Sequence, residues 1–118
     1  MTDENFDVQG FARDINVLLV LATLRDGSKH GYQIALDVET ESSGLFRFRH
    51  GTLYPILHRL EAEGFIDGSW SKEGGGRRKK VYALTAGGRA HLEGRRAHVG
   101  EVVARLLRVI SGPGEAPA

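Results

Sequence analysis

The sequence predicts a mainly α-helical fold that carries one small β-hairpin. Three observations predict it. Apolar residues recur at helical spacing in three successive stretches between Phe11 and Gly64. The period then shortens to that of strands on either side of a glycine-rich, basic loop. A last long stretch returns to helical spacing before a tail rich in Gly, Pro and Ala.

Each element has its own signal. Residues 1–10 are polar and acidic without periodicity and read as a flexible arm. From Phe11 to Arg25, the positions of Phe11, Ile15, Leu18, Leu19 and Ala22 suit a helix buried on most sides. The segment "DGS" stops it, with Gly27 as the break and Ser28 as the cap of a second helix over Lys29–Glu41. That helix turns Tyr32, Ile34, Ala35 and Val38 inward, and "SSG" ends it. After an extended link, "LFRFR", a third helix follows in "RHGTLYPILHRLEAEG". Leu53, Ile56, Leu57 and Leu60 form its inner face, and Gly64 is its C-terminal stop. Pro55 has no N–H and belongs in a first turn. A Thr52 cap puts it at the third helical position, whereas an earlier start implies a kink; the sequence leaves both open. "FIDGSWS" and "KKVYAL" then read as two antiparallel strands around "KEGGGRR". Thr85 caps a last helix that reaches about Ile110, and residues 111–118 read as a disordered tail. Helix, helix, helix, hairpin, helix is the order of a winged helix-turn-helix. The expected organisation is therefore such a domain over residues 11–84 and a C-terminal dimerisation helix over 85–110.

Composition removes several function classes. The chain of 118 residues fits one domain. It has no cysteine, so disulfides, thiolate nucleophiles and cysteine-based zinc sites are absent. The polar start does not resemble a signal peptide, and no apolar run nears the ~20 residues of a membrane span. A cytoplasmic protein without membrane association is expected. The five histidines show no H-E-x-x-H or i, i+4 pairing. His91 and His98 lie about 10 Å apart along one helix, too far to share an ion. No metal, no cofactor and no catalytic constellation is expected. "GGGRRKK" also lacks the spacing of a phosphate-binding P-loop.

The charges carry more than their sum of +1. Bases gather at Arg47, Arg49 and Arg59, and in the run Arg77, Arg78, Lys79, Lys80. Such clustering lets a near-neutral chain present a positive face. The outer side of the third helix offers Thr52, Pro55 and Arg59, flanked by Tyr54 and His58, while the acids Glu61 and Glu63 fall in its C-terminal half. A recognition helix inserts its N-terminal part into the major groove, where its dipole also favours phosphate. Arg59 then suits a guanine edge, and Thr52, Tyr54 and His58 suit phosphates. The plain alternative is a solvated helix face. The hairpin tip weighs against it, because three glycines and four adjacent cations fit a phosphate backbone better than a structural turn. Arg49, His50, Gly51, Lys72, Arg77, Arg78, Lys79 and Lys80 complete the expected DNA-binding set. In the last helix, Val99, Val102, Val103, Leu106, Leu107 and Ile110 form an apolar band that a second subunit would cover. Gly87, Gly88, Gly94 and Gly100 are unfavourable inside a helix, and suit either close helix–helix approach or a frayed first turn.

The stretches "LLVLATLRDGSKHGYQIA", "GLFRFRHGTLYPILHRLEAEGFI" and "GGGRRKKVYALTAGGRAHL" resemble the PadR family of bacterial transcriptional regulators, over roughly Ile15 to Leu92. The resemblance implies a winged-helix homodimer that binds a palindromic operator in double-stranded DNA and usually represses. It implies that Gly51 to Pro55 open the DNA-facing helix, that Arg77 sits at the wing tip, and that Tyr32 supports the helix pair and touches phosphate. Arg78 stands where many relatives have Pro, and Val81 where an aromatic is frequent. The single C-terminal helix is similar to that of the short branch of the family. Some members of that branch bind flat aromatic compounds between aromatic residues at the dimer interface. This chain has no aromatic ring of Phe, Tyr or Trp beyond Tyr82, so a small-molecule effector would have to rely on Trp70 and the first helix. Two further readings compete: a sensor whose main task is ligand capture in the dimer cleft, and a protein-interaction module indifferent to DNA.

Overall fold

The computed structural model describes residues 6–71 and 78–113. It contains α1 (Val8–Thr23), β1 (Lys29–His30), α2 (Gly31–Glu41), α3 (His50–Ala62), β2 (Ile66–Ser71), β3 (Lys79–Leu84) and α4 (Ala86–Ser111). The three strands form one antiparallel sheet in the order β1-β3-β2. This is the winged helix-turn-helix arrangement the sequence implies, with a third strand that it did not. Among the described residues, no helix is long and apolar enough to cross a membrane.

The helical periodicity translates directly into a core. α1 contributes Val17, Leu18, Val20 and Leu21, with Leu24 just beyond it; α2 contributes Ile34, and α3 contributes Leu53, Leu57 and Leu60. Ile66, Tyr82 and Leu92 close it from the sheet and from α4. Among the described residues Thr23 is the one buried polar side chain, and its hydroxyl donates to the Val20 carbonyl at 2.8 Å. A buried hydroxyl without such an acceptor would cost about 1–3 kcal/mol.

Local chemistry decides where the elements start and stop. α1 begins at Val8, so Val8 to Gly10, expected in a flexible arm, are helical. The reason is Asp7, whose carboxylate accepts from the Gly10 N–H at 2.9 Å and caps the first turn. α2 begins at Gly31, two residues later than expected, and Ser28 does not cap it. Lys29 and His30 are drawn instead into pairing with Tyr82 and Val81 of β3. α3 begins at His50 with Arg49 at the cap position, so the Thr52 cap is not formed and Pro55 lies inside the helix. Pro55 deprives the Gly51 carbonyl of its helical donor. At its other end α3 stops in a Schellman motif: the Gly64 N–H reaches the Glu61 carbonyl, and the Phe65 N–H reaches that of Leu60. Gly64 takes the required positive φ of 82°. α2 ends the same way with Ser43 at φ 52°, a rarer occupant of that position.

α4 is positioned by its first turn. The Thr85 hydroxyl accepts from the Gly88 N–H at 2.9 Å and donates to the Gly64 carbonyl at 2.7 Å, joining the start of α4 to the end of α3. Gly88 lies so close to the Phe65 carbonyl that a Cβ would sit 2.0 Å from its oxygen. That settles one of the four odd glycines as a close approach within the chain. Gly94 and Gly100 meet nothing within 4 Å. Further along, Arg95 pairs with Asp14 of α1 and His98 meets the edge of Phe11. Beyond Val99 the helix leaves the domain and extends it to 61 Å in its longest dimension.

Two outcomes are expected from these contacts. Gly88→Ala should destabilise the chain by about 1–3 kcal/mol through overpacking. Gly94→Ala should leave the domain unchanged or stabilise it by up to about 1 kcal/mol. Midpoints of urea unfolding for the two variants measure the contrast. Asp37 provides the second. Hydrogen bonds from Lys29, and then from Gln33, hold its pKa below the ordinary value. A depressed carboxylate pKa stabilises the fold above the unfolded value near pH ~3.9, and the stabilisation is lost as pH falls through the folded value. Asp37→Asn should therefore cost about 0.5–1 kcal/mol at neutral pH and nothing in strong acid, read from thermal unfolding across pH.

Candidate nucleic-acid interface

α3 can display a face only because it buries the opposite one. With Leu53, Leu57 and Leu60 inward, Gly51, Thr52, Pro55 and His58 are exposed on the far side. The residues on the two flanks of the helix meet different neighbours. On one flank, Tyr54 packs against Gly31 at the start of α2, where a Cβ would come within 2.8 Å of its hydroxyl. The His50 and Tyr54 rings stack at 5.7 Å with an interplanar angle of 3°. Together with Leu36, Glu39, Phe48 and Tyr32, which is 69% exposed rather than turned inward as its spacing suggests, they line a groove of about 250 Å³.

This groove joins two helix starts of the same kind. α1 and α4 have side-chain caps, from Asp7 and Thr85. α2 and α3 have none, and neither carries an acid in its first turn. Uncapped first-turn N–H groups and the positive ends of two helix dipoles therefore lie beside Tyr32, His50 and Tyr54. Such a place favours an anion. Arg49 stands exposed immediately before α3. The link before it also exposes Leu45, while Arg47 forms a loose surface pair with Glu39 at 3.6 Å.

Arg59, on the opposite flank of α3, is placed elsewhere. It lines a second, larger groove of about 440 Å³ with Phe6, Phe11 and Arg13 of the α1 side and with Arg95 and His98 of α4. It therefore stands apart from the Tyr32, His50 and Tyr54 cluster, although the sequence grouped all four.

The basic run of the wing also divides. Side chains alternate across a strand. Arg78 and Lys80 take one face of the hairpin and Lys79 takes the other. Arg78 is exposed and lies over the Trp70 ring, 5.3 Å from its centroid. Lys79 is exposed too. Lys80 is not presented in the same way: its ammonium donates to Glu61 of α3 at 2.9 Å, and this pairing raises its pKa. Tyr82, beside it, has a raised pKa because it is buried. Lys72 and Arg77, expected nearer the wing tip, lie outside the described residues. Among the described residues no group of His, Asp or Glu could hold a metal ion.

The interface expected on α4 is graded. Val99 packs against the chain's own core and Val102 is half-buried. Val103, Leu106, Leu107 and Ile110 are exposed, as is Val109 at 80%.

Sequence reasoning missed β1, the contact of Tyr54 with Gly31, and the Lys80–Glu61 pair. A signal for the first existed: Lys29 and His30 precede a glycine that cannot be a good helix interior residue. The other two depend on elements distant in sequence and have no local mark.

Comparison with known proteins agrees with this architecture. Residues 20–94 match the transcriptional regulator PadR-like family. The chain is 39% identical over 88 residues to the transcriptional regulator Rv3488 of Mycobacterium tuberculosis, covering 74% of this chain and 78% of that protein. A PadR family transcriptional regulator from Eggerthella lenta has a similar structure, with a TM-score of 0.69, 29% identity, and coverage of 86% of this chain and 88% of that one. Bacillus subtilis PadR, solved in complex with operator DNA, is similar with a TM-score of 0.62 and 32% identity; the likeness covers 67% of this chain and 45% of that one. The chain belongs to the PadR-like family and is a transcriptional regulator rather than an enzyme.

Proposed function

We propose that the protein is a homodimeric repressor that binds a palindromic operator and releases it in response to an effector. The observation that carries DNA binding is the pairing of two uncapped helix N-termini with Tyr32, His50 and Tyr54 at the start of α3. An anion is stabilised there by N–H groups and by dipoles, with no acid in either first turn; Glu39, which lines the same groove, pairs with Arg47 at 3.6 Å. Phosphate is the anion that comes with a polymer able to reach the wing at the same time. On this reading Tyr32, Arg49, His50 and Tyr54 hold backbone phosphates, while Gly51, Thr52, Pro55 and His58 face the base edges. Gly51 and Pro55 supply no side-chain donor, so they serve close approach rather than readout. Lys72, Arg77, Arg78 and Lys79 follow the flanking backbone as the wing. That the similar Bacillus subtilis PadR was solved with operator DNA supports DNA binding as such.

The dimer follows from α4. Val103, Leu106, Leu107 and Ile110 stand at helical spacing and exposed, which leaves an apolar stripe for a second copy of the same helix. Two α3 helices related by a two-fold axis then meet successive major grooves ~34 Å apart. Residues 11–84 form the DNA-binding unit and 85–110 the dimerisation helix. The second reading, ligand capture as the main task, draws on the groove beside Phe6, Phe11 and Arg59, which spans α1, α3 and α4 and so touches both the dimerisation helix and the DNA-facing one.

Two measurements test the proposal. Genomic fragments selected by the purified protein should share a two-fold site, and binding to that site should fall by about 10³–10⁵ between 50 and 200 mM salt if six to ten phosphates are contacted. Affinity indifferent to salt would refute it. Leu106→Glu should yield monomers in sedimentation and lose operator binding with little change in helix content, because only the solvent-facing stripe is altered.

A further inference from the structure

Lys80 lies in a basic run, yet its surroundings differ from those of its neighbours. Its Nζ donates to Glu61 Oε1 at 2.9 Å, and the two side chains are only 29% and 31% exposed. Two rings enclose the ammonium further, with the Tyr82 centroid at 5.6 Å and the Trp70 centroid at 5.7 Å. Glu61 belongs to α3 and Lys80 to β3, so the pair must cross β2, which lies at the sheet edge. It crosses at Gly68. A Cβ there would come within 2.4 Å of Lys80 Cε and 3.0 Å of Glu61 Oε2. Glycine at this position is the passage through which the bridge forms. Arg78, by contrast, has no acidic partner among the described residues and lies over the Trp70 ring.

We infer that Lys80 is a positioning residue: through Glu61, across Gly68, it fixes the wing against the recognition helix and does not itself meet phosphate. The inference rests on the DNA-binding reading above. Its physical content is preorganisation. α3 and the wing engage different parts of the duplex, and both engage at once only if their mutual angle is already set. Breaking the bridge leaves every phosphate contact available but no longer aligned. The cost is then the same at every salt concentration. Losing a phosphate contact has another signature, since it lowers the salt slope by about one.

The test measures affinity for a selected operator fragment across a salt series. Lys80→Met should weaken binding about fivefold at each salt with the slope unchanged. Gly68→Ala, which obliges the tips of Lys80 and Glu61 to shift, should weaken binding by less than Lys80→Met with the slope again unchanged. Arg78→Met should flatten the slope by about one. Glu61→Ala decides most sharply. Removing an acid near DNA raises affinity if net charge alone counts, whereas loss of the bridge lowers it. The double variant Lys80→Met with Glu61→Ala should be no weaker than either single one. Glu61→Met, which keeps the aliphatic stem but no acceptor oxygen, replaces Glu61→Ala if the latter shifts the unfolding midpoint. A flattened slope for Lys80→Met, or tighter binding by Glu61→Ala, would overturn the inference while DNA binding stands. Wild-type protein that binds no fragment at low salt would overturn both readings together.

Discussion

The corner at Gly64, Phe65, Thr85 and Gly88 anchors the elements that carry the functional surfaces. Four element ends meet there: the stop of α3, the start of β2, the end of β3 and the first turn of α4. The Phe65 carbonyl accepts from the Thr85 N–H at 3.2 Å, and the Thr85 hydroxyl holds the Gly64 carbonyl. Gly88 lets α4 press against the same backbone. A helix meant to enter a groove, a wing and a long C-terminal rod thus start from one small knot of hydrogen bonds, and the Lys80–Glu61 pair ties wing to helix further out. Such bonds have fixed geometry, whereas apolar packing tolerates sliding.

α3 illustrates how one helix serves two masters. Its inner stripe supplies three of the most deeply buried leucines. Its outer side is then free of core duty and can carry small or conformationally special residues such as Gly51, Thr52 and Pro55. These are poor helix formers. The helix persists because tertiary packing of its leucine stripe outweighs that weak propensity. Its N-terminus is left without a cap, at some cost in local stability, and the same absence makes its first-turn donors available.

Much of this architecture was legible in the residues. Leu53, Ile56, Leu57 and Leu60 announced α3 through spacing, Thr85 announced α4 through capping chemistry, and "KKVYAL" matched β3 to the residue. β1 was illegible because two residues carry no period; only their partners on β3 make them a strand. The start of α3 was open because Pro55 fits a first turn best, and the packing of Leu53 and Tyr54 overrides that preference. The candidate site was legible as a set of types but not as an arrangement. Arg59 and Tyr54 belong to one polar set of α3 by residue type, yet one turns to the α1–α4 groove and the other to α2. Lys79 and Lys80 are adjacent in the chain and lie on opposite faces of the hairpin. Charge runs are read from sequence as a sum, whereas strands deal them out alternately.

α4 combines a rigid anchor at its start with an exposed apolar stripe near its end. An α-helix turns 100° and advances 1.5 Å with each residue. On the dimer reading, the stretch between Leu92 and Val103 is therefore a geared shaft between the anchored domain and the partner. Adding one residue there would swing the second domain by roughly a quarter turn or more without touching a core residue. Adding four would restore most of the orientation while displacing it by about 6 Å. The separation and phase of the two operator halves would then be written in the length of this helix rather than in any residue that reaches DNA.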